Sequence, residues 1–157
     1  MAKVINSSPA GPESTPKIAG VIVAHGHLAA ELLAAAEMIV GPLAHVTSAS
    51  VSWHDDVDAA REEIERAIAR VNQGRGVLLL TDMFGGAPMD IASMFLDDKG
   101  IEIVSGVNLP MVIKLANQTP EESASDLARR VCDGGKEAIH QASEILARAA
   151  KPTAKDS

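Results

Sequence analysis

The chain has 157 residues, 46% hydrophobic and 22% charged, enough apolar material for one domain with a packed core. A net charge of −7, only 2% aromatic residues and no tyrosine argue against a nucleic-acid partner, since both a basic face and a stacking platform are missing. A single cysteine, Cys132, excludes an internal disulfide. No apolar run reaches the length of a membrane span, and the residues after Lys3 do not form a secretory signal, so a cytoplasmic protein with no membrane insertion is expected.

Residues 1–16, rich in Pro and Ser, read as a disordered leader, 17–150 as the folded domain and 151–157 as a frayed tail. Lys17 to Ala24 is an apolar run that reads as a buried parallel strand, closed by His25-Gly26. Leu28 to Val40 repeats apolar residues at helical spacing and stops at Gly41-Pro42. Val46 to Ser52 alternates, as an edge strand does. The loop Trp53-His54-Asp55-Asp56 leads to a second helix, with Val57, Ala60, Ile64, Ala67, Ile68 and Val71 on one side. Val77 to Asp82 is the clearest buried strand; Met83 to Pro88 forms its exit, and Met89 to Leu96 reads as a helix. Ile101 to Val104 is a fourth strand, and Asn108 is placed to cap a helix over Leu109 to Ala116. The remainder is helical to about Ala150, with an interruption expected at Gly134-Gly135.

Strands alternating with helices indicate an α/β fold. The expected architecture is a doubly wound, mainly parallel sheet of four to five strands in the order 2-1-3-4. Helices cover both faces, with room for an antiparallel edge strand. In that order strands one and three are neighbours whose following helices leave toward opposite faces, opening a crevice at their carboxyl ends. His25 and Asp82 would lie side by side in it. A carboxylate that accepts a hydrogen bond from one ring nitrogen leaves the lone pair on the other, which makes a nucleophile. Amide groups at Gly26 and in the Gly85-Gly86-Ala87 turn are candidates to hold an incoming phosphoryl group. The plainer reading, a polar turn and a helix start with Pro88 near its first position, stands beside this one. The sequence contains no GxxxxGK[ST] motif and no second carboxylate for Mg²⁺ at these strand ends, which suits transfer from an already activated donor, with no metal and no cofactor.

Three short segments, in order, carry a resemblance: Ala24-His25-Gly26, Thr81-Asp82-Met83-Phe84-Gly85-Gly86-Ala87-Pro88 and Gly106-Val107-Asn108-Leu109-Pro110-Met111. Over residues 18–117 the chain resembles the IIA component of the mannose-type bacterial phosphotransferase system. The resemblance implies a phosphotransferase with a phosphohistidine intermediate. His25 would be phosphorylated by HPr through Nε2, with Asp82 orienting Nδ1, and would pass the group to a histidine of a separate IIB component. It also implies a homodimer to which C-terminal segments contribute. Some relatives have Ser where Ala87 stands, so a hydroxyl contact is replaced here by a backbone amide at most. Three other readings stay open: a regulatory IIA relative, the phosphotransfer subunit of a dihydroxyacetone kinase, and a small-ligand-binding module without covalent chemistry.

His27, two residues from His25, is a competing nucleophile, although its place at a helix start suits a capping or solvent-facing role better. His54 follows strand two on the same edge and is expected in an exposed loop. His45 and His140 carry no signal. Phe84 is expected to pack or to contact a partner beside the site, Cys132 to pack, and Asn108 either to cap its helix or to donate into the crevice.

Overall fold

The computed structural model describes residues 15–52 and 56–151. The expected leader and tail lie almost wholly outside these residues, as do Trp53, His54 and Asp55, on which the expectation of an exposed loop histidine falls. The described elements are β1 (Ala19–His25), α1 (Leu28–Val40), β2 (Val46–Val51), α2 (Val57–Val71) and β3 (Val77–Thr81). They continue with α3 (Ala87–Ser93), β4 (Ile101–Ser105), α4 (Leu109–Lys114), α5 (Ala124–Glu137) and α6 (Ala142–Ala150). The four strands are parallel and ordered β2-β1-β3-β4. An antiparallel edge strand, for which the sequence left room, is not among the described residues.

The two central strands are the two continuous apolar runs, because a parallel strand covered on both faces can spare no polar position. From Ala19 to Ala24 and from Val77 to Thr81 every residue is buried. Each of Leu78, Leu79 and Leu80, at 0% exposure, contributes about 1.5–3 kcal/mol of apolar burial. Strand alternation divides the core in two. Ile22, Ala24, Leu78, Leu80 and Val104 face α1, α4 and α5, whereas Val21, Val23, Ala49, Val51, Val77 and Leu79 face α2 and α3. Gly20 sits under Leu115, where a β-carbon would come within 2.7 Å of that side chain. On α2 the buried positions are Ala60, Ile64, Ala67 and Val71, and the outer face carries the Arg61–Glu65 and Arg66–Glu62 pairs expected of a solvated helix.

Three local expectations are corrected. The first strand extends to His25, because β2 pairs with it two residues further (His25 with Val51) than β3 does, whose pairing with β1 ends at Val23 and Thr81. The third helix starts two residues earlier than the apolar pattern indicated, since Pro88 is pre-set for its first turn. It ends at Ser93, where tight bonds from Met94 N–H to Ile91 O and Phe95 N–H to Ala92 O take over. Gly134-Gly135 does not interrupt the C-terminal helix: α5 runs through both glycines. Both are buried against α4, where β-carbons would collide with Lys114 at the first position and with Met111 at the second. The glycines let two helices approach and do not end one.

At the amino-terminal edge of the sheet, Ile18 is held by a side-chain amide. Its N–H donates to Gln118 Oε1 at 2.8 Å, and its carbonyl accepts from Gln118 Nε2 at 2.9 Å. His45, read as a loop residue without a role, is 3% exposed there, with Nε2 2.7 Å from the Leu115 carbonyl. A carbonyl only accepts, so Nε2 carries the hydrogen. No helix among the described residues is long and apolar enough to cross a membrane.

Candidate active site

The site lies where β1 and β3 end side by side. Helix α1, which follows β1, packs with Ala29 and Ala36 on one face of the sheet; α3, which follows β3, packs with Ile91 and Ala92 on the other. Two chains leaving adjacent strands in opposite directions uncover the strand ends between them. The last residue of β1 and the residue just past β3 are His25 and Asp82.

Their side chains meet. His25 Nδ1 lies 2.7 Å from Asp82 Oδ2, and the His25 backbone N–H donates to the same oxygen at 3.0 Å. Asp82 Oδ1 accepts the Met83 N–H at 3.0 Å. Burial, with the Asp82 side chain 11% exposed, works against its ionisation. The backbone N–H of His25, the His25 ring and the Met83 N–H outweigh that burial and hold the carboxyl below its ordinary value. An ionised carboxylate only accepts, so Nδ1 carries the hydrogen and, in the neutral ring, the lone pair is on Nε2. The His25 side chain is 28% exposed, so the ring is steadied from inside and reachable from outside.

Glycines shape the ground around Nε2. Gly26 has φ +57° and Gly86 has φ +89°, both in the region that favours glycine. A β-carbon on Gly86 would stand 3.7 Å from Nε2 and 3.5 Å from Cε1, in ordinary contact with the ring, so the Gly86 backbone lies directly beside that nitrogen. Gly86 is also the residue from which α3 starts, with Ala87 first in the helix. The strand end beneath Asp82 is braced by the loop after β4: Thr81 O accepts from Gly106 N–H and Val107 N–H, both at 2.9 Å.

The remaining candidates separate clearly. His27 is exposed, precedes α1 as its cap residue and makes no side-chain capping bond. Asn108 caps α4 by accepting from Met111 N–H at 3.2 Å, while its amide nitrogen donates to Gly135 O at 3.1 Å. One of the two N–H groups of that amide is therefore committed to α5. Phe84 is 82% exposed and Met83 54%, so neither packs inward; both lie in the exit of β3 directly after Asp82. Cys132 is half-buried against the α1–α5 core. Among the described residues no group of three His, Cys, Asp or Glu side chains is placed to hold a metal. Sequence reading passed over Ser50, an exposed β2 residue whose hydroxyl donates to Gly26 O at 2.6 Å. Its serine is one of several in an alternating strand, so only strand register could single it out.

A parallel α/β domain with an imidazole–carboxylate pair at the carboxyl ends of its central strands is the class that this geometry defines. Residues 19–132 match the family described as PTS system fructose IIA component, and the chain belongs to that mannose-type family of phosphotransferase-system IIA components. It is 32% identical over 124 residues to the mannose-specific EIIAB component of Escherichia coli K12. The match covers 78% of this chain but 38% of that protein, so the chain spans well under half the length of this relative. It is 26% identical to the sorbose-specific EIIA component of Lacticaseibacillus casei, covering 83% of this chain and 95% of the relative. Its fold superimposes on the crystal structure of a phosphotransferase-system EIIA component from Streptococcus agalactiae with a TM-score of 0.72. There the identity is 28%, with 81% of this chain and 98% of that one covered.

Proposed function

We propose that the chain is a phosphocarrier that takes a phosphoryl group from phospho-HPr on His25 and passes it to a histidine of a IIB component. The observation that supports this reading is the 2.7 Å contact between His25 Nδ1 and Asp82, which in the neutral ring leaves the lone pair on Nε2. In the accepting step the Nε2 lone pair attacks phosphorus in line. The N–P bond to the donor histidine breaks, and its electron pair returns to the donor ring nitrogen. Asp82 keeps the Nδ1 proton in place and balances the charge that the ring gains as Nε2 bonds to phosphorus. Backbone amides at Gly26, Gly85, Gly86 and Ala87 supply donors for the phosphoryl oxygens. Phosphoryl transfer asks mainly for positioning and charge stabilisation, and these few groups meet that need. The exposed Met83 and Phe84 give a protein donor an apolar surface to dock on. Return of the group to IIB is the same displacement with the roles exchanged.

The relay would operate in the cytoplasm, and a homodimer is part of the proposal. Its support is the amphipathic α6, none of whose residues is buried, with Leu146 67% exposed, and the outer end of α1, where Met38 is 88% exposed. Incubation with Enzyme I, HPr and phosphoenolpyruvate tests the reading. The expected product is an acid-labile phosphate on this chain that a IIB protein removes; a chain that stays unlabelled contradicts it.

A further inference from the structure

We infer that Ser50 is a positioning residue for phosphoryl transfer, acting through the Gly26–His27 peptide; this rests on the phosphocarrier reading of His25. Strand alternation sets the face of the sheet on which Ser50 lies. Val46 of β2 lies in the α1-side core while Ala49 and Val51 lie in the α2-side core, so Ser50 projects on the α1 side. By the same alternation in β1, Ala24 is on the α1 side and His25 follows Ala19, Val21 and Val23 toward the other. Ser50 stands opposite Ala24 in register and reaches diagonally to Gly26, whose carbonyl accepts its hydroxyl at 2.6 Å.

A trans peptide carries its C=O and N–H on opposite sides, and the described residues include no cis bond. With the Gly26 carbonyl drawn to the α1 side, the His27 N–H is turned to the side on which the His25 ring stands. Three observations make this peptide dependent on an outside clamp. Gly26, at φ +57°, has no side chain to restrict its backbone. His27 gives α1 no side-chain cap. The first amides of α1 also have no acceptor within the helix, so their direction is set by whatever fixes the turn. Ser50 therefore aims one donor at the phosphoryl oxygens without touching them itself.

The test is a single-turnover measurement of phosphoryl transfer from phospho-HPr to the parent protein, Ser50→Ala and Ser50→Thr, at increasing donor concentration. Because Ser50 is exposed, the variants should fold, and chemical denaturation will verify it. Loss of a direct oxyanion donor costs about 10²–10³ in rate, and a residue acting through one costs less. The expected result is a roughly tenfold fall in the saturating rate of Ser50→Ala with an unchanged half-saturating concentration, and recovery to within about twofold in Ser50→Thr, which restores the hydroxyl. A labelled parent with an unaffected Ser50→Ala overturns the role of Ser50 alone. So does a threonine variant as slow as the alanine one, or an effect confined to half-saturation. An unlabelled parent overturns the phosphocarrier reading and the role of Ser50 together.

Discussion

Asp82 holds His25 at two points with one oxygen: Oδ2 accepts the ring Nδ1–H at 2.7 Å and the backbone N–H at 3.0 Å. The carboxylate thus fixes the end of β1 and the tautomer of the ring it carries. Replacing Asp82 by alanine should leave the sheet intact, since Asp82 lies just past β3, and slow phosphoryl acceptance by roughly 10²-fold or more through loss of the productive tautomer. Rapid-quench labelling of Asp82→Ala, with circular dichroism as the check on folding, measures this. A folded variant labelled at the parent rate would remove the carboxylate from the mechanism.

The same contacts tie stability to acid. The Asp82 carboxyl is held below the ordinary carboxylate value of 3.8 in the folded protein, so its contribution is fully present above 3.8 and is lost as pH falls through the lower, folded value. Asp82→Asn should therefore be less stable than the parent at neutral pH by about 1–2 kcal/mol, a typical worth for hydrogen bonds to a charged group after partial replacement. The gap should close in acid below 3.8. Urea midpoints across that range decide the matter; a constant gap would contradict it.

His45 predicts a second pH effect at higher pH. Its burial, opposed by the bond to the Leu115 carbonyl and reinforced by the charge of Lys17, lowers its pKa from 6.5. The folded value lies under the unfolded one, so the unfolded chain binds more protons between them. Stability is then highest above 6.5 and declines as pH falls through that value. His45→Gln, which keeps a donor for Leu115 O, should lose less stability than the parent between neutrality and about pH 5. Parallel pH dependences in the two proteins would show that His45 does not carry the effect.

The α4–α5 contact gives a pair of variants with opposite expectations. At Gly134 an added methyl meets the flexible outer part of Lys114, which can swing to solvent, and alanine is favoured over glycine in a helix by about 1 kcal/mol; Gly134→Ala should be neutral or slightly stabilising. At Gly135 the methyl would stand 2.5 Å from Met111 Sδ, a residue only 3% exposed. Overpacking of about 1–3 kcal/mol should then prevail. Thermal unfolding of the two variants checks the order, and a more stable Gly135→Ala would contradict it.

These glycines also mark where local sequence stops being informative. The strand order came with the doubly wound class that the alternation of strands and helices indicated, and the meeting of His25 with Asp82 followed from that order. Both depend on patterns contained within a few residues. The continuity of α5 depends on Lys114 and Met111, about twenty residues away, and no local pattern reveals that a glycine pair is making room and not a break. His45 and Ser50 were hidden for the same reason. The partner of one is the Leu115 carbonyl and that of the other the Gly26 carbonyl, and backbone acceptors leave no signature in side-chain identity.

The phosphorylated nitrogen itself is the most direct measurement. With Enzyme I, HPr and labelled phosphoenolpyruvate, the parent and His27→Ala should both acquire acid-labile phosphate and His25→Ala should acquire none, with the label of the parent located on His25 Nε2 by NMR. Label that persists in His25→Ala and disappears in His27→Ala would contradict the assignment of His25 as the phosphoryl acceptor.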